Sequence, residues 1–295
     1  MSKYEFMKMI EESIKTKDEA AGCEVCGRTY IKNNDILRYG ISIRKGREKI
    51  SPTFYVDRYY EDYSRKKITV DEIAKEIVKQ LKSIKKREFD CDFDSGIGNY
   101  GSGITYRLIS AQKNKKLLSE TPHIPFLDMA MIFTIVFNNT DAGVETVRIN
   151  NSLMESWDIS TKELYDLAKS NTPRLFPYRI DSLSSVMKKC FDEEIFDDCM
   201  CNPDIFILTN SQGVYGATTI LYPGMTEKIT SLVGGSYYVI PSSVHEILIM
   251  PDAGDSFSEE LNDTIKLINN EHVLDEEVLS DRAYFYDASE KRFKI

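Results

Sequence analysis

The sequence predicts an α+β fold, with an N-terminal α-β-β-β-α module over residues 1–98 and a larger α+β domain of mainly antiparallel sheet over residues 99–295. Three observations carry that reading. Ser/Thr-x-x-Glu capping boxes at Ser2, Thr69, Ser160 and Ser256 stand ahead of helically spaced apolar residues, and each marks a helix start. Short runs rich in Val, Ile, Tyr and Phe, bounded by turn residues, recur between them as strands do. From Glu88 to Gly103 the texture changes to alternating acids and then glycines, which marks a linker or long loop between the two parts.

In the module, Ser2 and Glu5 open a helix whose Phe6, Met9, Ile10 and Ile14 fall on one face. Glu24 to Ile31 and Ile36 to Ile43 read as a hairpin, because the amide side chains of Lys32-Asn33-Asn34-Asp35 suit positive-φ turn positions. A Pro-led strand, Pro52 to Val56, follows the Lys45-Gly46 turn, and Asp57 to Tyr63 (DRYYEDY) forms a helical turn. Thr69 and Glu72 cap the clearest helix, in which Val70, Ile73, Ala74, Ile77, Val78, Leu81 and Ile84 form one apolar stripe.

In the second domain, strands are expected over 104–109, 127–137, 144–150, 205–209, 237–240, 246–250, 283–286 and 292–294. Helices should follow Ser160-x-x-Glu163 and Ser256-x-x-Glu259. Pro173 is expected to stop the first of these, since the residue before a proline is pushed out of the α region. A further helix spans Ala217 to Leu232, bent or restarted at Pro223-Gly224, and Asp192 to Asp204 reads as an exposed acidic loop.

Composition excludes several classes. A 42% hydrophobic content over 295 residues is enough for a real core. The longest apolar run, Met129 to Phe137, falls far short of the roughly 20 residues a membrane helix needs. The N-terminus lacks the apolar segment and cleavage signature of a signal peptide, so a cytoplasmic protein is expected. A net charge of -9 argues against general affinity for phosphate backbones, and the basic run Lys79 to Arg87 is the solvated end of a helix. Six irregularly spaced cysteines fit reduced thiols better than a disulfide framework.

Four constellations could carry chemistry. Cys23-x-x-Cys26 has the shape of a zinc knuckle, and Cys199-x-Cys201 could supply two more thiolates, although that second half is poorly spaced and Cys26 equally suits an alternating strand. Asp90-x-Asp92-x-Asp94 resembles the start of an EF-hand, but Ser95 and Gly101 stand where that loop needs Gly and Glu. Gly96, Gly98 and Gly101 match GxGxxG, yet a strand rather than a helix follows. The best-marked position is the Pro241-Ser242-Ser243 joint between two apolar β-runs, which also carries His245 and Glu246. On an extended strand Ser243 and His245 side chains stand about 7 Å apart, too far for direct activation of a nucleophile. No GxSxG elbow, HExxH or Walker A sequence is present, so the joint reads first as a strand junction.

Three stretches together carry a resemblance: ISPTFYVDRYYEDY (50–63), SWDISTKELYDLAKSNTPRLFP (156–177), and the run from Gly216 through YPG to IPSSVHEILIMP. They resemble an uncharacterised family of cytosolic proteins of gut Clostridia and, more distantly, a YtpQ-like Bacillus family. Neither has an assigned activity, so the resemblance implies no residue role. It does imply that Cys23 and Cys26 occupy an ordinary strand.

The expected function is a non-catalytic protein-binding or regulatory module without a cofactor, its partner another protein and its contact surface Tyr55, Tyr59, Tyr60 and Tyr63. Those rings could equally cover the helix after Thr69. The alternatives are a hydrolase using Ser243, His245 and Glu246, and a structural zinc or calcium protein.

Overall fold

The computed structural model describes residues 1–46, 51–83, 96–140, 143–190, 205–241, 243–252, 254 and 258–294. The chain divides into two compact units, one of residues 1–32 and 36–94 and one of residues 33–35 and 95–295. The architecture is α+β.

In the first unit, helix α1 (Lys3–Lys15) starts at the expected capping box: the Glu5 N–H donates to Ser2 Oγ and the Ser2 N–H donates to the Glu5 carboxylate at 2.7 Å. Its Phe6, Met7, Ile10 and Ile14 are buried, whereas Met9 is 43% exposed. The helical period thus selects Met7, one turn behind Ile10, and not Met9. Strands β1 (Cys23–Ile31) and β2 (Leu37–Lys45) pair antiparallel, and β3 (Thr53–Tyr55) adds to the free edge of β2. Between β1 and β2, Asn34 and Asp35 take the left-handed conformation, at φ 60° and 52°. Helices α2 (Asp57–Ser64) and α3 (Val70–Ser83) follow. Ile73, Ala74, Ile77 and Val78 of α3 join the α1 face and Val25, Ile41, Ile43, Val56 and Tyr59 in one apolar core.

Gly27 lets α1 sit close on β1, since a Cβ there would lie 2.7 Å from Glu11 Oε2. Glu11 is itself buried, and Lys8 and Lys15 donate to its carboxylate at 2.6 and 2.8 Å. Burial opposes its ionisation, but the bonds from Lys15, Lys8 and the Gly27 backbone outweigh it and hold the pKa below the ordinary value.

The second unit contains two sheets. In the first, β6 (Met129–Thr140) is flanked along one edge by β4 (Ile104–Ser110) and along the other by β5 (His123–Phe126) and β7 (Gly143–Arg148), set end to end. Among the described residues no strand pairs with the outer edge of β4. Instead the Tyr106 N–H donates to Thr172 Oγ1 at 3.1 Å and the Leu108 N–H to Thr218 Oγ1 at 3.0 Å, which satisfies two edge donors with side chains.

Short helices α4 (Lys115–Ser119) and α5 (Asn151–Ser156) precede the longer α6 (Thr161–Leu175). The second sheet has the order β13-β12-β10-β11-β9-β8, antiparallel throughout. It comprises β8 (Tyr178–Ser182), β9 (Phe206–Asn210), β10 (Tyr237–Ile240), β11 (Ile247–Pro251), β12 (Tyr284–Asp287) and β13 (Arg292–Lys294). Helices α7 (Leu183–Cys190), α8 (Met225–Val233) and α9 (Ser258–His272) connect its strands, with a 3-10 turn over Gly216–Leu221. As expected, that connection restarts at Gly224, whose φ is 75°.

Pro173 departs from expectation, because α6 runs through it to Leu175. Proline offers no N–H to the carbonyl four residues before it, that of the exposed residue Lys169. The last turn is held by tertiary bonds: Asn171 Nδ2 donates to Gly101 O and Ile104 O at 2.7 and 3.0 Å, and Arg174 donates to Ser102 O at 2.7 Å.

Candidate functional site

The joint between β10 and β11 is built from backbone outward. Val244 is buried; its N–H donates to Glu277 O at 2.8 Å and its carbonyl accepts from Ala217 N at 3.2 Å. Ser243 Oγ accepts the backbone N–H of His245 at 3.0 Å, so the hydroxyl closes a local turn and bonds to the histidine's main chain, not its ring. The His245 carbonyl accepts from Thr209 Oγ1 at 2.8 Å. The imidazole Nδ1 accepts the Tyr215 N–H at 3.3 Å, and Nε2 faces Glu277 Oε1 at 3.4 Å. Glu246 contributes its carbonyl, which accepts from Ser243 N at 3.4 Å. Ser242 lies outside the described residues.

This packing requires a glycine. At Gly216 a Cβ would lie 2.1 Å from Thr209 Oγ1 and 2.3 Å from His245 O, so only the absence of a side chain lets the 3-10 turn meet the joint. The residue before it, Tyr215, is held in the left-handed conformation at φ 51°. Its ring centroid lies 5.8 Å from that of the imidazole and 4.3 Å from the Arg107 guanidinium.

Tyr215 also lines a small cavity open to solvent, together with Thr105, Arg107, Thr134, Thr146 and Asn210 among others. Thr105 and Thr134 are buried and their hydroxyls bond across the β4–β6 pair at 3.0 Å. Arg107 Nε is buried with no hydrogen-bond partner. Burial, and then the neighbouring charge of Arg107, hold the Arg148 guanidinium below its ordinary pKa. Tyr106 and Tyr222, also in the lining, are pushed well above the ordinary phenol value by burial; Tyr222 donates to Phe176 O at 2.8 Å.

The profile of DUF5688, a family of unknown function, matches residues 3–288. The chain belongs to the DUF5688 family. No curated protein and no solved structure matches it.

In this DUF5688 chain Tyr59, Tyr60 and Tyr63 belong to or pack against the core of the first unit. Tyr59 is buried and donates to Glu76 Oε1 at 2.8 Å. Tyr60 and Tyr63 pack on Phe6, with ring centroids 5.4 and 4.8 Å away, and Tyr60 donates to Met1 O. Tyr55 is half-buried on β3, edge-on to Tyr30 at 5.8 Å and under Lys32 Nζ at 4.4 Å.

Cys23 and Cys26 are free and half-buried on β1, and their odd separation points them to opposite faces of the strand. Cys26 Sγ accepts from Arg28 Nε at 3.2 Å. Among the described residues no three His, Cys, Asp or Glu side chains come together as a metal site; Cys199, Cys201, Asp90, Asp92 and Asp94 lie outside them. Gly96 to Gly103 form two 3-10 turns leading into β4. Among the described residues no helix is long and apolar enough to cross a membrane.

The joint is marked in the sequence, and the cavity lined by Tyr215 is not. The overlooked signal is a repeated Thr-x-Arg, Thr105-x-Arg107 and Thr146-x-Arg148, in which period-2 geometry puts each threonine and its arginine on one face of a strand.

Proposed function

We propose that this DUF5688 protein is a non-catalytic binding module of the cytoplasm that engages another protein through the aromatic surface of its first unit. The observation that supports it most is the condition of the joint: Ser243 Oγ, both His245 nitrogens and the Glu246 carbonyl face partners that hold the loop in place, so no free nucleophile is paired with a base there. Tyr55 is the proposed centre of the contact, because its ring is half-exposed and flanked by Tyr30 and Lys32 on the face of the sheet away from the core, while Tyr60 and Tyr63, half-buried on Phe6 with Tyr59, form a separate part of the proposed surface. The likeness to cytosolic proteins of gut Clostridia and to the YtpQ-like family belongs to this proposal and supplies no residue role. The test is affinity capture from the native host with the full chain and Tyr55→Ala in parallel. A specific protein retained by the wild type and lost by the variant supports the reading; equal retention of every captured protein by both chains contradicts the assigned surface.

A further inference from the structure

We infer that the second unit carries an oxyanion-binding site in which Arg107 and Arg148, on either side of β6, receive a carboxylate or phosphate group of a small organic anion. This goes beyond the protein-binding reading and is independent of it.

The register makes the placement. Thr105 lies opposite Thr134, which lies opposite Arg148; one step along, Arg107 lies opposite Ile132, and Val136 lies opposite Thr146. Directly opposed residues project from the same face of an antiparallel sheet, so two guanidinium groups and three threonine hydroxyls share one face. That face opens on the cavity at Thr105, Arg107, Thr134 and Thr146.

The charges there lack a partner. Among the described residues no carboxylate lies within 4.0 Å of Arg107 or Arg148, although most other arginines of the chain pair with acids. Among the described residues Arg107 Nε is buried and unbonded, and the guanidinium lies over the face of Tyr215. Burying a charged donor such as Arg107 Nε without an acceptor is costly, and the like charges of Arg107 and Arg148 repel. Burial and Arg107 depress the Arg148 pKa, while the exposed Glu120 opposes this only in part. A bound oxyanion relieves both costs at once: guanidinium forks match the two oxygens of a carboxylate or phosphate, and threonine hydroxyls can donate to the rest.

The test is calorimetric titration of the full chain with inorganic phosphate and, separately, with succinate. Saturable one-to-one binding of either supports the site, and which of them binds assigns phosphate or carboxylate chemistry. Arg107→Gln and Arg148→Gln should each weaken that binding by about tenfold or more. Lys162→Gln, at an exposed ion pair on α6, should leave it unchanged. If either glutamine variant does not fold by circular dichroism, Arg148→Lys replaces it; this variant keeps the charge but loses the fork, and several-fold weakening is expected. Absence of saturable binding of both anions, or wild-type affinity in the folded arginine variants, overturns the proposal.

Discussion

The backbone N–H of Tyr215 donates to Nδ1 of His245, and the two rings lie 5.8 Å apart. A histidine whose acceptor nitrogen is taken by a neighbouring main chain orders that chain, and here the ordered residue is the one forced into a left-handed conformation at φ 51°. His245→Ala should therefore lower stability by about 1 kcal/mol, the loss of one partly buried hydrogen bond. Urea denaturation measures it; an unchanged midpoint would show that Tyr215 needs no such support.

Gly216→Ala tests the close approach of the 3-10 turn to the joint. Its Cβ would stand 2.3 Å from His245 O and 2.8 Å from Asn210 N, both main-chain atoms that cannot swing aside. The overpacking should cost about 1–3 kcal/mol, read as a lower thermal midpoint. A variant as stable as wild type would mean that the turn and the joint are not packed as described.

Thr172→Val leaves the Tyr106 N–H without its acceptor at the buried edge of β4. The expected loss is about 1–3 kcal/mol, and Thr172→Ser should recover most of it. Hydrogen exchange at the Tyr106 amide gives a residue-level readout, faster in the valine variant and near normal in the serine one.

Glu11→Gln addresses the buried carboxylate of the first unit. Because the folded-state pKa is depressed, the ionised group stabilises the fold fully above its unfolded value near 4.5, and this contribution fades as pH falls through the folded value. Wild type should exceed the variant by about 1 kcal/mol at neutral pH, discounted for two lysines that are each about 40% exposed. The gap should narrow in acid. A gap that does not change between pH 7 and pH 3 would rule out ionisation as its source.

Much of the fold was legible in the sequence because its signals are local. The boxes at Ser2, Thr69 and Ser160 depend on residues three apart, and each opens a helix as expected. The hairpin turn was readable because Asn34 and Asp35 tolerate positive φ. What failed was non-local. Pro173 stays helical because Asn171 and Arg174 reach the 101–104 segment, a contact some 70 residues away in sequence. The strands β5 and β8 are only four and five residues long and exist through pairing with β6 and β9. The cavity was hidden for the same reason: Arg107 and Arg148 become neighbours only when β4 and β7 flank the same strand. At the joint, the residue types were visible, but their partners Tyr215, Thr209 and Glu277 come from other elements.

The most direct test of the binding reading is the paired capture with the full chain and Tyr55→Ala, combined with an ester-hydrolysis assay of the wild type and Ser243→Ala. The account predicts a specific protein that the Tyr55 variant loses, and no hydrolysis that depends on Ser243. Turnover abolished by Ser243→Ala, with no protein captured specifically, would contradict it.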